Sequence, residues 1–317
     1  HDPRLGRHPR APVMRALVVS NMRPTPANPG RGIYVREQVA ALRRIAGLEV
    51  DLHQFPPGPA AFPGATLELR RRTGHYDIVH AHFGLTAWPA LAVRYVPHVV
   101  TLHGNDLYHP RTRRLTLAVA RRMDLVATAS AALGRKLPAG PWRTAVLPCG
   151  VELDRFNPIP REHARRALGL DPDRPCLLFP FDPARQVKRF DLAQAVAGET
   201  QLITLGATEP AHVALAINAA NAVLVPSDFE GFGLAVLEAL ACGVPVLATR
   251  VGAHPLALDG LPGTLCAEFD LGRWRAALAP HLAAPDPRVD GRPRAELFSA
   301  DRMAARVAVA WRELVER

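Results

Sequence analysis

The sequence predicts an α/β protein built from two doubly wound parallel-sheet domains. Short β-branched runs alternate with helical patterns along almost the whole chain, which is the arrangement of βαβ units. The alternation is interrupted once, by the polar and proline-rich segment GVELDRFNPIPRE at 150–162, and then starts again. With 317 residues, 48% of them hydrophobic, the chain is long enough to bury two cores. We therefore expect two domains with a cleft between them.

The first domain is predicted over residues 14–160. It opens with the strand RALVVSN at 15–21 and the amphipathic helix YVREQVAALRRIAG at 34–47, which Gly47 closes. Further strands are expected at 48–55, 77–83, 98–104, 125–130 and 144–148. Helical stretches such as 111–122 and 130–137 separate these strands, as a parallel sheet requires.

The second domain is predicted over residues 161–298. Its strands are expected at 176–181, 201–206, 222–227, 244–250 and 263–267. Helices at about 190–198, 210–220, 233–242 and 271–284 fit between them. A closing helix, assigned to 299–317 with Ser299 and Asp301 as caps, could pack back on the first domain.

The first 13 residues, HDPRLGRHPRAPV, are basic and proline-rich and lack the apolar centre of a signal peptide. We expect them to be a tag remnant or a disordered arm. No apolar run approaches the roughly 18 residues that a membrane-spanning helix needs. The four cysteines form no CxxC pair, which favours free thiols in a reducing cytoplasm. The expected location is therefore cytoplasmic, with peripheral contact at the inner membrane face left open.

The formal net charge of +10 comes almost entirely from arginine, because Lys136 and Lys188 are the only lysines among 39 basic residues. The arginines occur along the whole chain in pairs and triples, such as Arg70 to Arg72. A nucleic-acid-binding protein would show a dense patch with interleaved aromatic residues. We therefore expect a solvated basic surface and no nucleic-acid partner. An anionic substrate or an anionic membrane surface is compatible with the same charge.

The segment EGFGLAVLEALACGVPV at 230–246 carries two carboxylates eight positions apart in a small and apolar stretch. AVLVPS at 222–227 predicts a buried strand before it, so Glu230 lies just before a helix N-terminus at the cleft. Glu238 follows roughly 12 Å further along if helical rise applies throughout. Three backbone amides begin this helix, those of Phe232, Gly233 and Leu234. Two hydroxyl acceptors that flank such an anion site are suited to bind a nucleotide sugar.

The same segment resembles the E-x7-E motif of the family 4 glycosyltransferases, which have the GT-B fold of two Rossmann-like domains. LPCGVELDRFNP at 147–158 is similar to the interdomain segment of that family, with Glu152 where aspartate is usual. The resemblance implies that Glu230 contacts the donor sugar and Glu238 the ribose hydroxyls. It also implies that the amides of 232–234 face the donor.

The stretch DPARQVKRF at 182–190 stands where the family has an arginine and a lysine for the donor diphosphate. The resemblance therefore assigns Arg185 and Lys188 to the diphosphate, although they are three positions apart and the family spacing is R-x4-K. Arg189 replaces a common glycine, and a solvated surface position explains it equally well. Lys188 and Glu230 are 42 positions apart, about one βα unit fewer than in the family. We expect a compact second domain, which leaves the nucleobase undetermined.

In the first domain, NPGRGIYVREQ at 28–38 is a glycine loop that opens a helix. The family has a similar loop near the diphosphate and the acceptor, so Gly30 or Gly32 is assigned to it. Gly32 is preferred because it borders the helix. An ordinary βα turn is the alternative.

Histidines end two predicted strands, in HAHFG at 80–84 and TLHGND at 101–106. His80 and His82 lack a third metal ligand at suitable spacing, so packing or cleft lining is preferred. Family members resembling the second stretch place a histidine beside the reacting sugar. We therefore expect His103 to position the donor, with Asp106 as a companion, and a satisfied cleft histidine is the alternative.

The resemblance implies a retaining enzyme of the hexosyltransferase class. We also expect it to be metal-independent, because no acidic pair at a strand end suits a metal, and Lys188, Arg185 and the helix start at 232–234 can neutralise the diphosphate. Its co-substrate would be a nucleoside-diphosphate sugar, with no cofactor. No carboxylate pair suited to a glycoside hydrolase is visible, and Asp171-Pro-Asp173 precedes a strand and predicts a turn rather than a metal site. An epimerase of the same fold and an inactive nucleotide-sugar-binding relative are the alternatives. The acceptor, whether lipid carrier, polysaccharide or small metabolite, is left open.

Overall fold

The first domain contains a six-stranded parallel sheet. The computed structural model describes residues 13–206 and 208–317, so 1–12 of the predicted arm lie outside the described residues. The strands are β1 (Met14–Ser20), β2 (Leu48–Gln54), β3 (Ile78–His82), β4 (His98–Leu102), β5 (Leu125–Thr128) and β6 (Arg143–Val146). Their order is β2-β1-β3-β4-β5-β6. The chain leaves β1 on one side for β2 and returns on the other for β3, which opens a crevice at their carboxyl ends.

Six helices connect these strands and cover both faces of the sheet. They are α1 (Ile33–Arg43), α2 (Phe62–Arg70), α3 (Gly84–Ala90), α4 (Asn105–Tyr108), α5 (Pro110–Ala120) and α6 (Ala131–Gly134). The side chains of β3 and β4 are buried on both faces. Strands that are buried on both faces are typical of a doubly covered parallel sheet, so the predicted fold class is confirmed.

The second domain repeats this design with five parallel strands. They are β7 (Cys176–Phe179), β8 (Gln201–Thr204), β9 (Ala222–Val225), β10 (Val246–Ala248) and β11 (Leu265–Cys266), in the order β11-β10-β9-β7-β8. The helices are α7 (Arg161–Ala167), α8 (Phe190–Ala197), α9 (Pro210–Ala219), α10 (Leu234–Ala241), α11 (His254–Leu258), α12 (Leu271–Ala283) and α13 (Arg292–Glu296). Again the chain moves from β7 to one side and then to the other, so a second crevice opens between β7 and β9.

A final helix, α14 (Ala300–Val315), packs against α1 and against the first sheet. Its buried side chains, including Met303, Val307 and Trp311, join the same apolar cluster as the residues of β1. Ser299 accepts a hydrogen bond from the backbone amide of Arg302, so the cap predicted at Ser299 is confirmed. Asp301, the other predicted cap, lies in the first turn and pairs with Arg44 instead. The helix therefore completes the core of a domain that begins almost 300 residues earlier in the chain.

The chain crosses between the domains twice, and the two crossings lie side by side. Val151 and Ser299 form a parallel bridge. The amide of Val151 donates to the carbonyl of Phe298, and the amide of Ala300 donates to the carbonyl of Val151, both over 2.9 Å. Among the described residues, no helix is long and apolar enough to cross a lipid bilayer.

Candidate active site

The carboxyl ends of the two sheets enclose a pocket of about 410 Å³ between the domains. Eight predicted site residues line it, namely His103, Arg185, Lys188, Glu230, Phe232, Gly233, Leu234 and Glu238. A larger hollow of about 740 Å³ lies at the β6 edge of the first sheet, around Trp142. That hollow contains none of the predicted residues, so we place the candidate site in the smaller pocket.

The loop after β9 holds the two domains together at this pocket. A Cβ atom on Gly231 would lie only 1.9 Å from the carbonyl oxygen of His103 in the first domain. Ser130 donates a hydrogen bond to the carbonyl of Gly231 over 2.7 Å. The rings of Phe229 and Tyr108 meet with their centroids 3.7 Å apart. Only glycine fits at position 231, and the contact brings residues of both sheets to one pocket.

Two of the predicted residues form a buried ion pair. The ammonium Nζ of Lys188 lies 2.6 Å from Oε1 of Glu230, and both side chains are less than one-tenth exposed. Ser227 donates a second hydrogen bond to the same oxygen over 2.8 Å. Burial alone would raise the pKa of Glu230, but Lys188, His254 and these hydrogen bonds outweigh it and hold that pKa below its ordinary value. The carboxylate is therefore charged, and its partner keeps two further N–H groups to donate.

A second cation and a helix N-terminus lie beside this pair. Arg185 forms no ion pair with any described residue, and its guanidinium carbon lies 5.9 Å from the ring centroid of Phe181. Lys188 packs on the same ring, with Nζ 4.2 Å from the centroid. Helix α10 starts at Leu234, and none of the amides of 232–234 donates to a described backbone carbonyl. These donors together favour an anion.

Glu238 lies one turn into α10 and lines the same pocket. Its carboxylate makes no hydrogen bond to any described side chain or backbone group. Burial raises the pKa of Glu238 to about 7, Arg155 lowers it and Glu37 raises it further. An unpartnered carboxyl group in a pocket is an available hydrogen-bond acceptor, and its protonation changes near neutral pH.

Three histidines form a stack on the first-domain side. Nε2 of His103 lies 2.9 Å from Nδ1 of His82, and the ring of His82 stacks on that of His80 with centroids 4.8 Å apart. His80 in turn contacts Thr101 and Trp311. Burial lowers the pKa of His103 to about 3, so the ring is neutral at ordinary pH and acts as a hydrogen-bonding group.

The remaining predicted residues do not line the pocket. Asp106 is buried, and its two oxygens accept 2.7 Å hydrogen bonds from the amides of Gly84 and His103. It therefore supports the backbone of His103. Gly32 precedes α1 with φ +66°, and a Cβ atom there would lie 2.6 Å from the carbonyl of Met22. Gly30 faces open space.

In residues 13–206 and 208–317, no three histidine, cysteine or acidic side chains are arranged so that they could hold a metal ion together. The amide of Asp173 donates to the carboxylate of Asp171 over 2.9 Å, so the predicted turn is confirmed. His80 and His82 make the packing contacts described above, as predicted.

Several residues at the site were missed by sequence reasoning. Tyr34 lies in the first turn of α1, and its ring centroid is 5.0 Å from that of His103. Phe181 supports both cations. The buried ring of His254 lies against Gly233, and its Nδ1 is 2.8 Å from the carbonyl of Thr249. The position of Phe181 at a strand end was a usable signal, whereas nothing in the local sequence marks Tyr34.

Comparison with known proteins agrees with this geometry. The family described as Glycosyltransferase Family 4 matches residues 11–155, and the family described as Glycosyl transferases group 1 matches residues 182–283. A D-inositol 3-phosphate glycosyltransferase from Actinosynnema mirum is 32% identical over 81% of this chain and 76% of its own length. A D-inositol 3-phosphate glycosyltransferase from Mycobacterium avium is 32% identical over 83% of this chain and 74% of its own length.

Solved structures of low sequence identity show the same fold. Sucrose-phosphate synthase from Thermosynechococcus elongatus matches with a TM-score of 0.76 and 21% identity, over 95% of this chain and 99% of its own. Anabaena HepE in complex with UDP-glucose matches with a TM-score of 0.72 and 17% identity, over 95% of this chain and 100% of its own. The two-sheet architecture, the matched families and the similarity to relatives over most of the chain lead to one conclusion. The chain belongs to the family 4 glycosyltransferases of the GT-B fold.

Proposed function

We propose that the protein transfers a sugar from a nucleoside-diphosphate sugar to an acceptor hydroxyl, with retention of configuration and without a metal ion. One observation carries the proposal. A single pocket holds an unpartnered carboxyl group, Glu238, and a charged Lys188–Glu230 pair on the two sides of one helix N-terminus. The UDP-glucose bound by HepE, a protein of the same fold, supports a donor of this class.

Each part of the donor has a matching group on the second-domain side of the pocket. Glu238 would accept hydrogen bonds from the ribose hydroxyls, because its carboxylate is otherwise unpartnered. The diphosphate would take the amides of 232–234 together with Arg185 and the two remaining N–H groups of Lys188. Glu230, held by Ser227 and Lys188, would bind hydroxyls of the sugar.

The transfer step needs little covalent chemistry from the protein. The acceptor oxygen bonds to the anomeric carbon on the face from which the diphosphate departs, the bond from that carbon to the diphosphate oxygen breaks, and the acceptor proton passes to a diphosphate oxygen. Negative charge grows on the leaving group, so fixed cations and amides stabilise the transition state. Neutral His103 would hold the sugar by a hydrogen bond, since an imidazole with a pKa of about 3 is a weak base.

The acceptor would enter from the first-domain side. A hollow of about 300 Å³ there shares Met22, Phe83 and Asn105 with the donor pocket. Arg31 also lines it and makes no ion pair with a described residue, while the one acidic group, Asp106, already accepts two backbone amides. We propose an acceptor that carries an anionic group, in keeping with the inositol 3-phosphate in the names of the relatives.

Two other functions make different predictions. An epimerase would convert the donor without any acceptor, and an inactive relative would bind nucleotide without turnover. The relatives are named as transferases, which favours transfer. A screen of melting temperature against UDP, GDP, ADP and their sugars identifies the donor first, because a ligand of the folded state raises stability by mass action.

The decisive experiment then compares the two glutamates. Glu238→Ala should weaken binding of the free nucleoside diphosphate by about 1–3 kcal/mol, the value of a hydrogen bond to a charged group. Glu230→Gln keeps its neighbours paired and should spare that binding but damage sugar transfer. Exposed Glu268→Ala is the matched control. An equal loss of nucleotide binding in the Glu238 and Glu230 variants, or no loss in either, would rule out the assignment.

A further inference from the structure

The outer surface of α3, α4 and α5 is basic to an unusual degree. Between residues 84 and 123, the only acidic residue is Asp106, which is buried. The same segment exposes six arginines, Arg94, Arg111, Arg113, Arg114, Arg121 and Arg122. None of the six forms an ion pair with residues in the part of the chain that the structure describes. Elsewhere on the surface some arginines, such as Arg189 and Arg250, are paired with aspartates. We call this surface the α5 face.

Large apolar side chains lie among these arginines. Leu115 is 51% exposed and Trp88 is 39% exposed, and the indole N–H of Trp88 donates to the carbonyl of Leu115 over 3.3 Å. Tyr95, which follows Arg94, is 91% exposed. Arg111 and Leu115 are four positions apart on α5, and Arg122 follows at helical spacing just beyond its end. Cations and apolar groups therefore share one face.

We infer that the α5 face is a docking surface for an anionic phospholipid bilayer. Unpaired arginines attract anionic headgroups, and exposed tryptophan, tyrosine and leucine side chains gain by entering the boundary between headgroups and acyl chains. A purely electrostatic partner such as nucleic acid would use the arginines and leave Leu115 without a favourable environment.

The α5 face adjoins the acceptor side of the pocket. Thr112 of α5 and Asn105 of α4 line the acceptor hollow, and Tyr108 contacts Phe229 across the cleft. Docking would bring the acceptor hollow close to the bilayer surface. The inference concerns binding alone and does not depend on the proposed transfer reaction.

The test is sedimentation of the protein with vesicles of phosphatidylcholine, alone or mixed with phosphatidylglycerol. We expect binding only to the mixed vesicles, and weaker binding at high salt. The triple variant Arg111→Gln, Arg114→Gln, Arg122→Gln should bind about a hundredfold more weakly, because each surface arginine contributes roughly fivefold. The control triple variant, Arg174→Gln, Arg273→Gln, Arg306→Gln, has the same net charge and removes exposed, unpaired arginines elsewhere. It should bind almost as well as the unaltered protein.

A further variant separates a lipid surface from other polyanions. Leu115→Ser should weaken vesicle binding severalfold, since it removes exposed apolar area, and should leave binding to heparin or duplex DNA unchanged. The inference is overturned if the protein does not bind anionic vesicles, or if the two triple variants lose vesicle binding equally. It is also overturned if Leu115→Ser has no effect on vesicles while heparin or DNA binds more tightly than the vesicles do.

Discussion

The two walls of the pocket differ in whether their side chains are charged or neutral. The second-domain wall keeps charged groups at the pocket, with Lys188 paired to Glu230 and Arg185 beside them. On the first-domain wall, burial keeps His103 and its stacked neighbours neutral, and backbone amides already occupy the carboxylate of Asp106. A charged wall can stabilise a charge that develops during reaction, whereas a neutral wall can only orient a ligand. In the proposed reaction, the second domain would therefore stabilise charge and the first domain would position the substrates.

The largest effect should come from the charged wall. Lys188→Ala should lower turnover roughly a hundredfold or more, the scale observed when one transition-state donor is removed. Lys188→Arg should restore activity only in part, because guanidinium and ammonium differ in shape and reach. Steady-state transfer assays with the donor found in the screen measure both effects.

The only other lysine is a matched control for this change. Lys136 lies outside the pocket, and Lys136→Ala should leave turnover unaltered. Removing one partner of a buried pair costs on the order of 3–5 kcal/mol of stability, so the melting temperature of each variant is measured and assays are run well below it. A folded Lys188→Ala enzyme with unaltered turnover would contradict the contrast between the walls.

A smaller effect is expected from the neutral wall. His103→Ala should lower turnover on the order of tenfold, as for loss of a neutral hydrogen bond, and should barely change affinity for the free nucleoside diphosphate. Exposed His75→Ala controls for removal of an imidazole. If the loss appeared instead in nucleotide affinity, His103 would belong to the nucleotide site and the division between the walls would fail.

The protonation of Glu238 should make nucleotide binding depend on pH. Its pKa is raised to about 7 from an ordinary value of 4.5, so the carboxylate that we propose to accept the ribose hydroxyls forms only as pH rises through about 7. Affinity for the nucleoside diphosphate should then increase about fivefold, because hydrogen bonds to charged groups are roughly twice as strong. Glu238→Gln should remove the dependence, as measured by titration calorimetry across this range.

The same group has the opposite effect on the stability of the free protein. The folded state binds this proton more tightly than the unfolded state does. The stabilisation is complete below about pH 4.5 and is lost as pH rises to about 7. Each pKa unit corresponds to about 1.4 kcal/mol, so the loss is at most about 3.5 kcal/mol. In chemical denaturation, the free energy of unfolding of the unaltered protein should therefore fall, relative to that of Glu238→Gln, as pH rises from about 4.5 to about 7.

The smallest expected effect is that of a chelator. If Lys188, Arg185 and the start of α10 neutralise the leaving diphosphate, excess EDTA should leave transfer unchanged. Loss of activity with EDTA, followed by recovery with Mg²⁺ or Mn²⁺, would show that the charged wall is insufficient on its own. The measurement is the same transfer assay with and without the chelator.

Local patterns predicted the fold and the family well. The β-branched runs marked the strands, for example 98–104 for His98–Leu102, because strand and helix preferences are local. The E-x7-E segment identified the family because strand, glycine turn and helix occupy one continuous stretch. The cap of α14 was also predicted, since a serine before a helix needs only its own neighbours.

The pairing of side chains across the fold could not be predicted in the same way. Lys188 and Glu230 were assigned to different parts of the donor, and their contact depends on how the loops after β7 and β9 converge. The link between His103 and His82 joins two strands, and Tyr34 reaches it from a helix. Such contacts arise from tertiary packing, which no short window of sequence contains.

The packing of α14 on the first sheet has a consequence for synthesis of the protein. The ribosome makes the first sheet early and the second domain next, and Met303 and Trp311 of α14 emerge only after both. Until then the apolar surface that α14 will cover, including Val18 and Ile78, is open to solvent. The nascent first domain is therefore an unfinished folding unit during translation of the second. Chaperones that recognise exposed apolar segments have that interval in which to bind it.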